Sequence, residues 1–222
     1  MSNQPLGRLT APSLPLAPER YDVQQQTAFS NVLRLYFNGI NNTVNNLLGD
    51  LSTGTNFRPG GGYLAFPYAA IQRTTDLTFT ANTATEVTFD TNDYINYCEN
   101  DGTNGITVNM AGIYNYQYSV QWANTDTQIH TGYIWLRVNG VDVPGTSSRF
   151  DVISSHGGTD GHIIAAANFY VLLEPSDTVE LWSAVTDTDL YMEAYAAQTS
   201  PFAMPSIPSV VATLSFVSRP PT

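Results

Sequence analysis

The chain has 222 residues, enough for one sizeable core, and carries eight arginines, no lysine and 19 acidic residues, for a formal charge of −11. Counterion release on nucleic acid needs clustered cations; these arginines are scattered singly, so nucleic-acid binding is disfavoured, and an anionic membrane surface repels such a chain. No apolar run reaches the length of a membrane span and the first residues lack a secretory h-region, so synthesis in a cytoplasm, without membrane insertion, is expected.

Residues 1–20 interleave Pro5, Pro12, Pro15 and Pro18 with Leu6, Leu9, Leu14 and Leu16. Proline at this density forbids a helix or a central strand, leaving an extended arm that is either a tail or a docking segment. From 21 to 48 the pattern changes. With Asp22 as N-cap, Phe29, Leu33, Tyr36, Ile40, Thr43 and Leu47 recur at alternating steps of four and three, which predicts a helix with a narrow apolar stripe. The stripe can pack on the following domain or on copies of itself. Thr43 on the seam and Gly39 beside it weaken an autonomous coiled coil, so partner support is expected. Residues 49–62, with Gly60, Gly61 and Gly62, read as a flexible joint.

Residues 63–222 read as strands and turns. Candidate strands span 63–72, 77–80, 86–89, 106–108, 114–122, 133–138, 149–152, 162–173, 178–184, 190–195 and 209–217. Turn signals such as Asn139-Gly140, Gly157-Gly158 and Pro175-Ser176-Asp177 separate them. In the stretch 112–122 Tyr114, Tyr116, Tyr118, Val120 and Trp122 alternate without a miss against Ile113, Asn115, Gln117, Ser119 and Gln121. One face must therefore be buried under a second layer, and the fold class is all-β, an antiparallel sandwich of jelly-roll type preceded by the arm and the single helix. The tyrosine face is expected either to fill the core or to line the axis of an oligomer. Cys98, the only cysteine, is expected at a core or strand-end position.

Chemistry-bearing residues are sparse. His130, His156 and His162 match no zinc spacing, and the acidic loops match no calcium motif, so no metal and no cofactor are expected. Ser155-His156 is only a sequence neighbour pair, no GxSxG occurs, and Glu180 and Glu193 look outward-facing, so the chain reads as no enzyme. Exposed aromatics are the better candidates. Trp135 alternates with Ile134 and Leu136, and Tyr191 and Tyr195 flank Glu193. These rings are expected to be buried between protomers, the alternative being a platform for a sugar ring.

The order Ile106-Thr107-Val108, Ala111 to Tyr116, Trp135 to Gly140 and Tyr170 to Leu181 resembles the C1q/TNF-like jelly-roll superfamily over about residues 85–217. Tyr116 stands where that superfamily usually has Phe, and Ser176 stands where it has Gly before Asp177. The segments 124–140, 154–169, 205–216 and 16–42 resemble virion structural proteins of marine tailed bacteriophages, in their fibre and appendage domains. The resemblance implies a homotrimer with tyrosine-rich strands near the three-fold axis, synthesised in the host cytoplasm and located on the virion surface. Residues 1–48 would dock on another capsid or tail protein, the helix stripe Phe29, Leu33, Tyr36, Ile40 and Leu47 associating across the trimer. The distal jelly roll would meet a host-surface glycan or protein. The alternatives are a capsid decoration or head-fibre protein that stabilises the shell, and a carbohydrate-binding module using Trp135, Tyr191 and Tyr195.

Overall fold

A computed structural model describes residues 20, 23–48, 66–100 and 105–219. The chain divides into two compact units, Met1–Ala65 and Phe66–Thr222. The proline-rich arm over 1–19, the N-cap Asp22 and the glycine joint over 49–62 lie outside the described residues, as do the side chains of Thr43 and Leu47.

In the first unit, Val23–Leu48 forms one α-helix, α1. Phe29, Leu33, Tyr36 and Ile40 share a partly covered face, as their four-three spacing requires. The apolar surface is wider than that stripe. Leu35 and Phe37 are 67% and 59% exposed, and the Phe37 ring lies 5.9 Å from that of Tyr36. Arg34 is the only charged residue in the helix, so no ion pairs along its sides specify a partner or a register.

The second unit is a sandwich of two antiparallel sheets. The first holds β1 (Tyr68–Arg73), β3 (Thr91–Asn96), β6 (Gly112–Asn124), β10 (Gly161–Leu173) and β13 (Val210–Ser218), in the order β10-β6-β13-β1-β3, with β12 (Leu190–Met192) also on β6. The second holds β4 (Cys98–Glu99), β5 (Ile106–Val108), β11 (Thr178–Val185) and β7 (His130–Val138) in that order. The short β8 (Val141–Asp142) and β9 (Ser148–Val152) both pair with β7, and β2 (Thr85–Glu86) pairs with β11.

Eight of these strands define the topology. Taken in chain order, the first pairs with the last (β1, β13), the second with the seventh (β5, β11), the third with the sixth (β6, β10) and the fourth with the fifth (β7, β9). Successive pairs fall in alternate sheets, which is one long hairpin wrapped into a jelly roll. The tightest corner follows β7, where Asn139 and Gly140 take φ of 51° and 77°. Two successive positive φ values make a turn whose twist suits a two-residue hairpin, and asparagine and glycine tolerate that geometry.

Between the sheets lies the core. Tyr114, Tyr116, Tyr118, Val120 and Trp122 of β6 are all buried there, against Ile134, Leu136, Val179 and Leu181 of the second sheet. Their alternate neighbours face outward. Trp122 lies flush on Gly132 of β7, where an added Cβ would come within 2.8 Å of the indole. Cys98 is buried at the inner edge, and desolvation raises its thiol to about 12, which keeps it protonated and unreactive.

Several strand assignments from the sequence differ: β4 and β8 are additional, the strand expected over 190–195 ends at Met192, and residues 63–65 of the one expected over 63–72 lie outside the described residues. Thr91–Asn96 pairs with β1, although its Thr-Asn-Asp run carries no strand signal; as the edge strand of its sheet it has a polar, exposed face. Residues 77–80 form no strand, Leu77 making only an isolated bridge to Met192. Over 86–89 the ladder stops at Glu86, yet Val87 and Phe89 still point into the core.

Burial raises the phenols of Tyr114 and Tyr116 far above the usual value near 10. Below about pH 10 folded and unfolded phenols are equally neutral; above it only the unfolded chain ionises freely, so stability is lost as pH rises. Spectrophotometric titration of the 13 tyrosines is expected to show a class that ionises only with alkaline unfolding. Urea denaturation of Tyr116→Ala is expected to show a loss of about 3–5 kcal/mol.

Candidate functional site

With both inner faces consumed by the core, function falls to the two outer faces, and these differ in charge. On the first sheet the outward positions of β6 are Ile113, Asn115, Gln117, Ser119 and Gln121; those of β13 are Val211, Thr213, Ser215 and Val217. The outward positions of β10 are His162, Ile164, Ala166, Asn168, Tyr170 and Leu172. Not one on these three strands is Asp, Glu or Arg, and the charge at the far edge of the sheet is Asp93 of β3, which accepts from Gln72 Nε2 at 2.7 Å. Large apolar groups nevertheless stand in water: Ile164, Tyr170 and Leu172 are 63%, 66% and 58% exposed, and Tyr94 on β3 is 71% exposed. Register aligns Tyr170, Asn115, Ser215 and Tyr68 in one row across four strands. Beside that row, small side chains at Ser119, Ala166 and Val211 leave a hollow of about 470 Å³.

One end of this face holds a polar cluster. His162 on β10 and Tyr191 on β12 both lie level with Ala123 of β6. Tyr191 donates its hydroxyl to Glu193 Oε1 at 3.1 Å, His162 Nδ1 lies 3.4 Å from Glu193 Oε2, and the Tyr195 hydroxyl meets His162 Nε2 at 3.4 Å. Glu193 is thus covered, its side chain only 15% exposed. Desolvation, with the Glu193 charge beside it, pushes Tyr191 up to about 12 and raises Tyr195 as well. The three histidines have separate surroundings. His130 bonds Asp126 at 2.8 Å and His156 bridges to Thr159 through its backbone, while His162 belongs to this cluster. Among the described residues no three His, Cys, Asp or Glu side chains converge as metal ligands.

The outer face of the second sheet is aromatic and charged. Trp135 of β7 and Trp182 of β11 are direct register partners, and Arg137 pairs with Glu180 in the next outward row. The Arg137 guanidinium sits 3.8 Å from the centre of the Trp182 ring and 5.9 Å from that of Trp135. The two indole N–H groups donate to Asp142 Oδ1 and Glu180 Oε2, each at 2.7 Å. Arg137 Nε donates to the same Asp142 oxygen at 2.6 Å. Bonds from Arg137 and Trp135 hold the Asp142 carboxyl below the usual range.

The aromatics proposed together from the sequence therefore separate. Trp135 lies on the second sheet, Tyr191 and Tyr195 at the end of the first. Tyr114, Tyr116, Tyr118 and Trp122 are core residues of the protomer. Trp182 escaped the sequence reading, although the outward alternation of Glu180, Trp182 and Ala184 along 178–184 carries the signal.

No family model and no curated protein matches the chain. Among solved structures it is similar to the globular domain of zebrafish complement 1qA protein, at 12% identity and a TM-score of 0.41, over 70% of this chain and 99% of that one. It is also similar to the Eiger TNF of S. frugiperda, at 9% identity and a TM-score of 0.48, over 71% and 96%. The nested strand order of β1 to β13 itself defines the fold class of this chain as a jelly roll.

Arg137→Ala is expected to shift tryptophan emission to the red as Trp182 loses its cover, and to cost about 0.5–1 kcal/mol in chemical denaturation. Asp90, Asp126, Asp142 and Asp151 all have lowered carboxyls in the folded chain. The unfolded state therefore binds more protons as pH falls past the free value near 4, and each contribution, present above it, is lost through the folded pKa. Thermal melts are expected to show a transition temperature that drops steadily from about pH 5 to pH 3.

Proposed function

We propose that the protein is a structural appendage of a bacteriophage virion, assembled as a homotrimer through the outer face of its first sheet and displaying its jelly roll for host-surface adhesion. The observation that carries the assembly is the charge asymmetry of the two outer faces. Interface cores are depleted of charge and enriched in aromatics. The first sheet offers such a surface in Tyr170, Leu172, Ile164 and Tyr68, while the second presents Arg137, Asp142, Arg149, Asp151 and Glu180.

The layout favours a ring over a two-fold pair. Exposed apolar side chains stand on both edge strands, Ile164, Tyr170 and Leu172 on β10 and Tyr94 on β3, whereas the hollow at Ser119, Ala166 and Val211 spans β10, β6 and β13. Knob and hole occupy different places on one protomer, so a copy fits the next one head to tail, a contact that closes into a ring when the rotation between copies is a whole fraction of a turn. Three as the number, and the virion as the setting, rest on the sequence resemblance over 124–140, 154–169, 205–216 and 16–42. Residues 1–48 then attach the trimer to the particle, and α1, with almost no charge, supplies an apolar surface for that attachment. No step of bond chemistry is assigned to the chain.

Sedimentation of the purified full chain at micromolar concentration is expected to give three times the 24.2 kDa protomer mass. Tyr170→Arg combined with Ile164→Glu is expected to give folded monomers. A monomeric wild-type protein contradicts the assembly.

A further inference from the structure

We propose that the outer face of the second sheet is a binding site for neutral glycans, with Trp135 and Tyr133 as stacking rings and Asp142 as the hydroxyl acceptor. Tyr133 and Trp135 are two residues apart on β7, so their side chains leave the strand on one face from backbone positions about 6.6 Å apart. Tyr133 is 38% exposed. Trp182, opposite Trp135, is covered by the Arg137 guanidinium and supports the platform from the β11 side without offering a free ring face.

The platform is set before any ligand arrives. Both indole edges are tied to carboxylates, and Arg137 braces Trp182 from 3.8 Å, so little side-chain freedom remains to be lost on binding. Asp142 uses Oδ1 for both of its bonds and is 65% exposed, which leaves it acceptor capacity for a sugar hydroxyl. A pyranose presents a C–H face to an aromatic ring and hydroxyls at its rim, and the site offers the matching surfaces in the same order.

Charge decides which glycan. Arg137 is taken by Asp142, and Arg149 by Asp151 at 3.0 Å, so each cation of this face already holds a carboxylate. With a formal charge of −11 on the chain, a sialylated or sulfated sugar is repelled, and so is nucleic acid. The ligand class is therefore a neutral hexose oligosaccharide. Each site is complete within one protomer; its display in several copies, which would multiply a weak single affinity, rests on the proposed assembly.

The test uses the full chain with neutral gluco-, galacto- and manno-configured hexasaccharides, and with sialylated and sulfated oligosaccharides as charged controls. Of the three tryptophans, Trp122 is buried, so a change in emission reports on Trp135 and Trp182, and saturation-transfer NMR identifies the bound sugar face. Binding of at least one neutral series is expected. Trp135→Ala should weaken it at least about tenfold, Trp135→Phe should restore part of it, and Ile129→Ser, on an exposed loop, should leave it unchanged. Silence toward all neutral sugars at millimolar concentration, preference for the charged controls, or full binding by Trp135→Ala would overturn the proposal; so would capture of the platform by a protein ligand alone. Sedimentation of the same samples separates the two readings: a trimer that binds no neutral sugar removes the glycan site only, and a monomer that binds removes the assembly only.

Discussion

The rest of the molecule depends on the alternation along β6. Each of its inward positions from Tyr114 to Trp122 carries a large apolar or aromatic side chain that is at most 3% exposed, and each outward position carries an amide, a hydroxyl or Ile113. Because the side-chain period of a strand is two, a slip of one residue would expose five large side chains and bury the amides in their place. Register is thereby pinned on both sides at once, to β10 over its full length and to β13 over most of it. Burying those aromatics requires the second sheet, and the strand pairing that delivers it is the nested hairpin of a jelly roll.

The same alternation produces the charge asymmetry on which the functional reading stands. A strand whose outward face is limited to amides and hydroxyls can be covered by a second protein without stripping water from any ion. Desolvating a charge costs several kcal/mol, whereas an amide can exchange water for another amide. The second sheet is built differently. Its outward aromatics are braced by Arg137, Asp142 and Glu180, so covering it with another protomer would desolvate a whole set of ion pairs. A small neutral ligand that stacks on the rings leaves those ions wet. The two faces thus suit two kinds of contact, one large with its charges confined to Glu193 at one end and Asp93 at the edge, the other small and polar-rimmed.

How far the sequence alone reaches can be followed residue by residue. The helix and β6 were legible because their periods, 3.6 and 2, are strict over many residues, and Asn139-Gly140 marks its turn because few other dipeptides accept two positive φ values. Thr91–Asn96 was not legible: an edge strand buries little, so its composition need not differ from a loop's. The role of Glu193 was hidden for another reason. It lies just past the end of β12 in the outward phase of that strand, yet His162 from β10 and Tyr191 from β12 close over it, and only the pairing of both strands with β6 brings them there. Trp135 and Tyr191 looked alike as alternating aromatics, but β7 and β12 belong to different sheets, a separation set by the wrapping of the hairpin and not by any local pattern.

In the proposed assembly the first sheet's outer face is covered by another copy while the second sheet's face stays open. Oxidative footprinting of the intact protein, read tyrosine by tyrosine across a dilution series, tests this directly. The predicted result is that Tyr170 and Tyr68 are protected at high concentration and become reactive on dilution, with Tyr133 reactive throughout. Equal reactivity of Tyr170 at every concentration, or protection of Tyr133 in its place, would contradict it.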